Sequence, residues 1–231
     1  MGAMQTVTAV AHRGDPYRFR ENTIPSLRSA LDQGADAVEV DVRLTRDGVP
    51  VLLHDATLER LWRHDRPLLA LSAEEVRGLT AGGVPTLAEA LAATGDSRMM
   101  LDLCGRVDRR IADRVVDVVR QTGAQDRVYY CAGAEAMLAV RAADPGAEIA
   151  LTWTSLAPPR AAVLDAVRPR WLNYRFSLVN RELTARVHRG GRLLSVWTPD
   201  TRRAMRRLLD LGVDSITTNR IDALEALRDG G

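Results

Sequence analysis

Eight short apolar runs, separated by longer stretches of helical periodicity, set the tightest limit on how this 231-residue chain can fold. The runs are Val7–Ala11, Ala37–Val42, Met99–Leu103, Arg127–Cys131, Glu148–Leu151, Trp171–Asn173, Leu193–Trp197 and Ser215–Thr217. Helical patterns lie between them at Pro25–Gln33, Val107–Gln121, Ala134–Ala143, Arg160–Val167, Arg181–Arg189, Thr201–Leu211 and Ile221–Arg228. Strands that alternate with helices pair in parallel, because each helix carries the chain back along the sheet. Eight such units in a chain of this length predict an α/β fold with a closed parallel (β/α)8 barrel rather than an open doubly wound sheet. Gly34, Gly123, Gly190 and Gly212 each follow a helical segment, where a left-handed cap is expected before the next strand.

Residues 55–86 interrupt the rhythm with a short helical stretch around Ala73–Gly78 and a Gly82-Gly83-Val84-Pro85-Thr86 segment. This reads as a small insertion after strand 2, on the face of the barrel where the strands end. That face carries the chemistry in such barrels. The insertion is expected either to flank substrate or to serve packing alone. No linker or low-complexity tract divides the chain, so residues 1–231 read as one domain, filling roughly 6–229, with residues 1–5 as a tag remnant.

A formal net charge of +2 gives no basis for nucleic-acid binding, which asks for a clustered basic face. All 32 basic residues are arginine, so any phosphate contact from a basic side chain must come from a guanidinium. Cys104 and Cys131 are too few for a disulfide framework or a structural zinc site. No leader pattern opens the chain, and no apolar run approaches the roughly 20 residues that cross a bilayer. A cytoplasmic protein without integral membrane association is the expectation, and the sequence leaves its oligomeric state open.

Residues able to do chemistry gather at the ends of the expected strands. His12 and Arg13 close the first strand, and Glu39 and Asp41 the second. Asp102 lies in the third, Trp197 ends the seventh, and Thr217-Thr218-Asn219 end the eighth. On a strand over residues 38–42, Glu39 and Asp41 project from the same face. Paired carboxylates repel unless a cation lies between them, which suggests a hard-metal site. His12 and His54 beside it supply a general base and a general acid. The set suits metal-assisted hydrolysis.

These segments resemble the glycerophosphodiester phosphodiesterase family along essentially the whole chain. His12-Arg13-Gly14 with Glu21-Asn22-Thr23 is similar to its HRG…ENT opening. Gly34 to Val42, Thr45-Arg46-Asp47-Gly48 and His54-Asp55 resemble its second block, while Val196-Trp197-Thr198 and Gly212 to Asn219 resemble its closing segments. The resemblance implies a TIM barrel that cleaves a phosphodiester to an alcohol and a phosphomonoester such as glycerol 3-phosphate. It implies one divalent cation, Mg²⁺ or Ca²⁺, on Glu39, Asp41 and Asp102. It further implies phosphate contact by Arg13, acid–base work by His12 and His54, and a substrate wall from Trp197, with Glu21, Asn22 and Asp55 in support. Which histidine is acid and which is base stays open.

The chain departs from the family in its third strand, where Glu-x-Lys is usual and Leu101-Asp102-Leu103-Cys104 stands here. Asp102 keeps a carboxylate one methylene shorter. Cys104 occupies the phosphate-contacting position without a charge, leaving Arg106 or Arg175 as the nearest replacements. Pro199-Asp200 follows the closing Trp-Thr where asparagine is common. Two other readings fit the same residues: a phospholipase D-like or cyclising phosphodiesterase, and a barrel that binds a phosphodiester without turning it over.

Overall fold

The short apolar runs and the period-3.6 patterning between them resolve into eight β/α units in the computed structural model, which describes residues 7–228. The strands are β1 (Thr8–His12), β2 (Ala37–Leu44), β3 (Arg98–Leu103), β4 (Val128–Ala132), β5 (Ile149–Trp153), β6 (Trp171–Arg175), β7 (Leu193–Trp197) and β8 (Ser215–Thr218). Each is followed by a helix: α1 (Ile24–Asp32), α2 (Leu87–Ala93), α3 (Arg109–Gln121), α4 (Ala134–Ala143), α5 (Ala161–Val167), α6 (Arg181–Arg189), α7 (Arg202–Asp210) and α8 (Ile221–Arg228). The eight strands pair in parallel in chain order, and β1–β2 pairing at one side with β1–β8 pairing at the other closes the ring. The expected TIM barrel is what forms. The tag-remnant reading of residues 1–5 lies outside the described residues.

Side-chain alternation divides each strand between two cores. Outward residues such as Ala9, Val38, Val40, Leu101, Tyr130 and Leu151 pack under the helices. Inward residues Val10, Ala37, Met100, Tyr129, Ala150 and Trp171 plug the barrel interior. Two positions further along the same strands stand His12, Glu39, Asp102, Cys131, Thr152 and Asn173. The plug therefore supports a polar layer at the barrel mouth. Helix α3 shows how the outer layer is held: Asp108 caps it by accepting from the Ile111 amide, and Ala112, Val115, Val116 and Val119 are buried. Each such valine contributes up to about 1.5–3 kcal/mol.

Gly34, Gly123 and Gly212 adopt the expected left-handed backbone, but Gly190 does not; its φ is −78°. Gly191, with φ +68°, takes the left-handed turn one residue later.

The insertion is richer than its pattern suggested. After a turn at Gly48, Pro50–Leu52 runs antiparallel to β2, outside the ring. A hairpin follows, pairing Thr57–Leu58 with His64–Pro67 around the short helix Glu59–Trp62. The next helix, Ala73–Leu79, begins at a reciprocal Ser72–Glu75 capping box. Val51, Leu53, Leu58, Leu68, Leu71, Val76 and Val84 give this segment a core of its own. Trp62 packs on that core, with the Arg20 guanidinium 4.1 Å from its ring centroid. No helix among the described residues is long and apolar enough to cross a membrane.

Candidate active site

Parallel register delivers one inward side chain from each barrel strand to a single cavity of about 580 Å³. Strands β1 to β4 supply His12, Glu39, Asp102 and Cys131; strands β5 to β8 supply Thr152, Asn173, Trp197 and Thr217. Arg13, His54 and the loop carrying Cys104 and Arg106 complete the lining.

The loop after β1 is bent to serve this cavity. Arg13 and Asn22 both adopt left-handed backbone, with φ of 59° and 57°. Gly14 has no alternative: a Cβ there would fall 2.4 Å from Ser26 Oγ and 2.6 Å from the Ser26 carbonyl carbon. The Arg13 amide donates to both the backbone and the carboxylate of Glu39, at 3.0 and 2.9 Å. Its guanidinium donates to Glu21 Oε1 at 2.9 Å through Nη1. Its Nε lies 2.9 Å from Asp41 Oδ2 as an ion pair without hydrogen-bond alignment. Asn22 clamps Asp41 from both ends, donating to Oδ2 at 2.7 Å and accepting from the Asp41 amide at 3.1 Å. Glu21 and Asn22 thus position other groups of the site.

His12 Nδ1 faces Asn219 Oδ1 at 2.8 Å. Asp200 fixes that amide by accepting from Asn219 Nδ2 at 2.8 Å and from the Asn219 backbone amide at 2.9 Å. A carboxylate only accepts, so the amide oxygen must face the histidine and Nδ1 must carry the proton. The lone pair is left on Nε2, which lies 3.9 Å from Glu39 Oε2. Burial, with the Arg13 charge beside it, pushes the His12 pKa below the ordinary histidine value.

Glu39 and Asp41 are both buried, and Asp102 stands opposite Asp41 in register. Ligand atoms of Asp41, Asp102 and Cys104 lie within 4.8 Å of one another, whereas Glu39 is set toward His12. Burial and the Asp41 and Asp102 charges drive Glu39 well above the usual carboxylate range. Burial and Asp41 push Asp102 up to about 7. Three carboxylates so crowded, with oxygen donors only, fit a hard divalent cation. Cys104 does not fit as a ligand to it. Burial and Asp41 push its thiol up, so the sulfur stays protonated and donates to Asp41 Oδ1 at 3.2 Å.

On the far side, His54 Nδ1 meets Asp55 Oδ1 at 2.7 Å. Arg60 ties this pair to the first loop, donating to Asp55 Oδ2 at 2.5 Å and to Glu21 Oε1 at 2.6 Å. Arg43 Nε donates to the His54 carbonyl at 2.7 Å. Sequence reasoning singled out neither arginine. Arg43 carried a signal, being two positions beyond Asp41 on the same strand face; Arg60 carried none. Of the replacements considered for the missing lysine, Arg106 lines the cavity, while Arg175 is exposed at the end of β6 and does not. The two cysteines take separate partners, Cys131 bonding Thr152 Oγ1 and Asn173 Nδ2, each at 3.2 Å.

Residues 12–223 match the Glycerophosphoryl diester phosphodiesterase family. A glycerophosphodiester phosphodiesterase of Caldanaerobacter subterraneus subsp. tengcongensis is 28% identical over 96% of this chain and 98% of its own. A Mycobacterium tuberculosis protein named probable glycerophosphodiester phosphodiesterase 2 is 30% identical over 94% of this chain and 88% of its own. Among solved structures, an Oleispira antarctica phosphodiesterase in complex with the product sn-glycerol-3-phosphate superposes with a TM-score of 0.86 at 24% identity, covering 96% of each chain.

Proposed function

Because the chain belongs to the glycerophosphoryl diester phosphodiesterase family, we propose that it hydrolyses glycerophosphodiesters to an alcohol and glycerol 3-phosphate, with His12 as base and His54 as acid. The observation that carries the assignment is the tautomer forced on His12. Its Nδ1–H is committed to Asn219, leaving an unprotonated Nε2 in a neutral ring at the cavity wall. That atom takes a proton from the nucleophile. His54 has a carboxylate at Nδ1, which holds the ring and leaves Nε2 to give a proton to the leaving oxygen. A binding barrel has no physical need for such a pair.

Glu39, Asp41 and Asp102 would hold the cation, Mg²⁺ or Ca²⁺, which when bound offsets charge on the non-bridging oxygens and polarises phosphorus. Arg13 stiffens this wall through Glu21 and Asp41 and leaves the rest of its fork for a phosphate oxygen.

The test is release of glycerol 3-phosphate from a panel of glycerophosphodiesters with Mg²⁺, with Ca²⁺ and with EDTA. Turnover is expected only with metal. His12→Ala is expected to lower kcat/KM by about 10²–10⁴-fold, the usual contribution of one positioned proton transfer. A cyclic phosphodiester as final product, seen by ³¹P NMR, would instead identify the cyclising enzyme.

A further inference from the structure

The insertion after β2 does not flank the cavity: among the described residues, none between His54 and Met100 lines it. It reaches the site instead through Asp55 and through Arg60, which stands on the short helix Glu59–Trp62. Leu58, at the start of that helix, is buried in the insertion's own apolar core. All three nitrogens of the Arg60 guanidinium are spent on carboxylates. Nε donates to Asp55 Oδ2 at 2.5 Å, and the terminal nitrogens grip both oxygens of Glu21, at 2.6 and 3.2 Å. A planar fork spans two carboxylates in this way; an ammonium does not. The other Asp55 oxygen meets His54 Nδ1, and Glu21 also accepts from Arg13, whose Nε lies against Asp41. A continuous line therefore runs His54–Asp55–Arg60–Glu21–Arg13–Asp41, with Arg60 at its middle.

The His54 ring depends on that line. Asp55 holds its Nδ1, whereas Arg43 holds the backbone carbonyl and leaves the ring free to turn. Among the described residues, the Asp55 carboxylate has His54 and Arg60 as its partners. Proton delivery to a leaving oxygen needs the ring at one place and angle, and a ring that swings loses that step without losing substrate. We propose that Arg60 is the positioning residue of the acid step: it locks Asp55, and through it His54, relative to the wall that receives the phosphate. The insertion then serves the reaction from outside the cavity, by delivering that guanidinium. This rests on the hydrolase reading above, with His54 as acid.

The experiment compares two glycerophosphodiesters, one releasing ethanolamine and one releasing p-nitrophenol. A departing alkoxide needs a proton, whereas p-nitrophenolate leaves without one, so the first ester alone calls on the acid. Arg60→Ala is expected to lower kcat for the ethanolamine ester by about 10–100-fold, the usual cost of losing a group that orients a reactive side chain, with KM changed by less than about twofold. For the p-nitrophenyl ester the loss is expected to stay under about threefold. Arg60→Lys keeps the charge but cannot bridge both carboxylates; it is expected to show the same selective loss in smaller measure, and it serves as the probe should Arg60→Ala fail to fold. In a His54→Ala background, Arg60→Ala is expected to cost nothing further. No loss, equal slowing of both esters, or a loss that multiplies with that of His54→Ala would overturn the positioning role and leave Arg60 as a fastening of the insertion. In that case the hydrolase reading survives. If His54→Ala itself slows both esters alike, the acid lies elsewhere and the proposal falls with that assignment. Absence of wild-type turnover on both esters would overturn the hydrolase reading as well.

Discussion

Asp200 touches no part of the cavity, yet it decides which atom of Asn219 faces His12 and hence which nitrogen of that ring is free. Asp200→Ala removes the acceptor that holds Asn219 Nδ2 and lets the amide rotate. The expected result is a fall in kcat of about 10–100-fold with little change in KM, as for other residues that orient a reactive imidazole. The His12 ring ¹⁵N shifts should move at the same time toward a mixture of tautomers; unchanged shifts would remove Asp200 from this role. Cys104 gives the opposite kind of prediction. Its sulfur is a protonated donor to Asp41, not a thiolate. Alkylation by iodoacetamide at pH 8 is expected to be at least about tenfold slower than for an unperturbed cysteine, measured by mass spectrometry. Both histidines and all three carboxylates were legible in the sequence because each stands at a strand end or in a motif. Asp200 was noticed only as a departure from the resemblance. Arg60 was missed because it acts on Glu21 from 39 positions away, a distance that only the folded chain closes.

At the scale of elements, all eight barrel strands were legible, since each is a short apolar run that the closed ring buries on both faces. The insertion was not. Its hairpin strand His64–Pro67 is polar and largely exposed, and Thr57–Leu58 is two residues long, so neither carries a periodic signal. Helix α2 was overlooked although Thr86 and Glu89 form a capping box at its start. The insertion is fastened to the barrel by charge, through His54, Asp55, Arg60 and Glu21. Hydrogen bonds from Arg60, with His54 next, hold Asp55 down at about 2, against an ordinary 3.8. A carboxylate whose folded pKa is depressed contributes stability above its unfolded pKa and loses it as pH falls toward the folded one. Asp55→Asn is therefore expected to cost about 1–2 kcal/mol at pH 7, discounted for its partial exposure. The difference from wild type should shrink between pH 4 and pH 2, where urea titrations would show the two curves converge. A constant gap across that range would mean that shape, not charge, fastens the insertion.

Across the whole molecule, the barrel holds an apolar plug directly beneath a layer of crowded carboxylates. The plug gives rigidity, and the crowding works against it, because Glu39 and Asp102 share a buried space with Asp41 and only arginine charges oppose them. A divalent cation that binds the folded mouth and not the unfolded chain relieves that strain and stabilises the whole barrel by mass action. At a hundred times its dissociation constant the gain is about 2.7 kcal/mol. For a chain of this size each kcal/mol moves the melting temperature by about 2–4 °C, so Mg²⁺ or Ca²⁺ should raise Tm by about 5–10 °C over EDTA in a thermal shift assay. Asp102→Asn provides the control with the sharper consequence. It lowers the crowding and removes a ligand together, so the variant in EDTA should melt above wild type in EDTA while losing most of its response to metal. If instead it melts lower and responds as strongly as wild type, the cation is held elsewhere, and the carboxylates at the mouth are structural partners of Arg13 and Arg43.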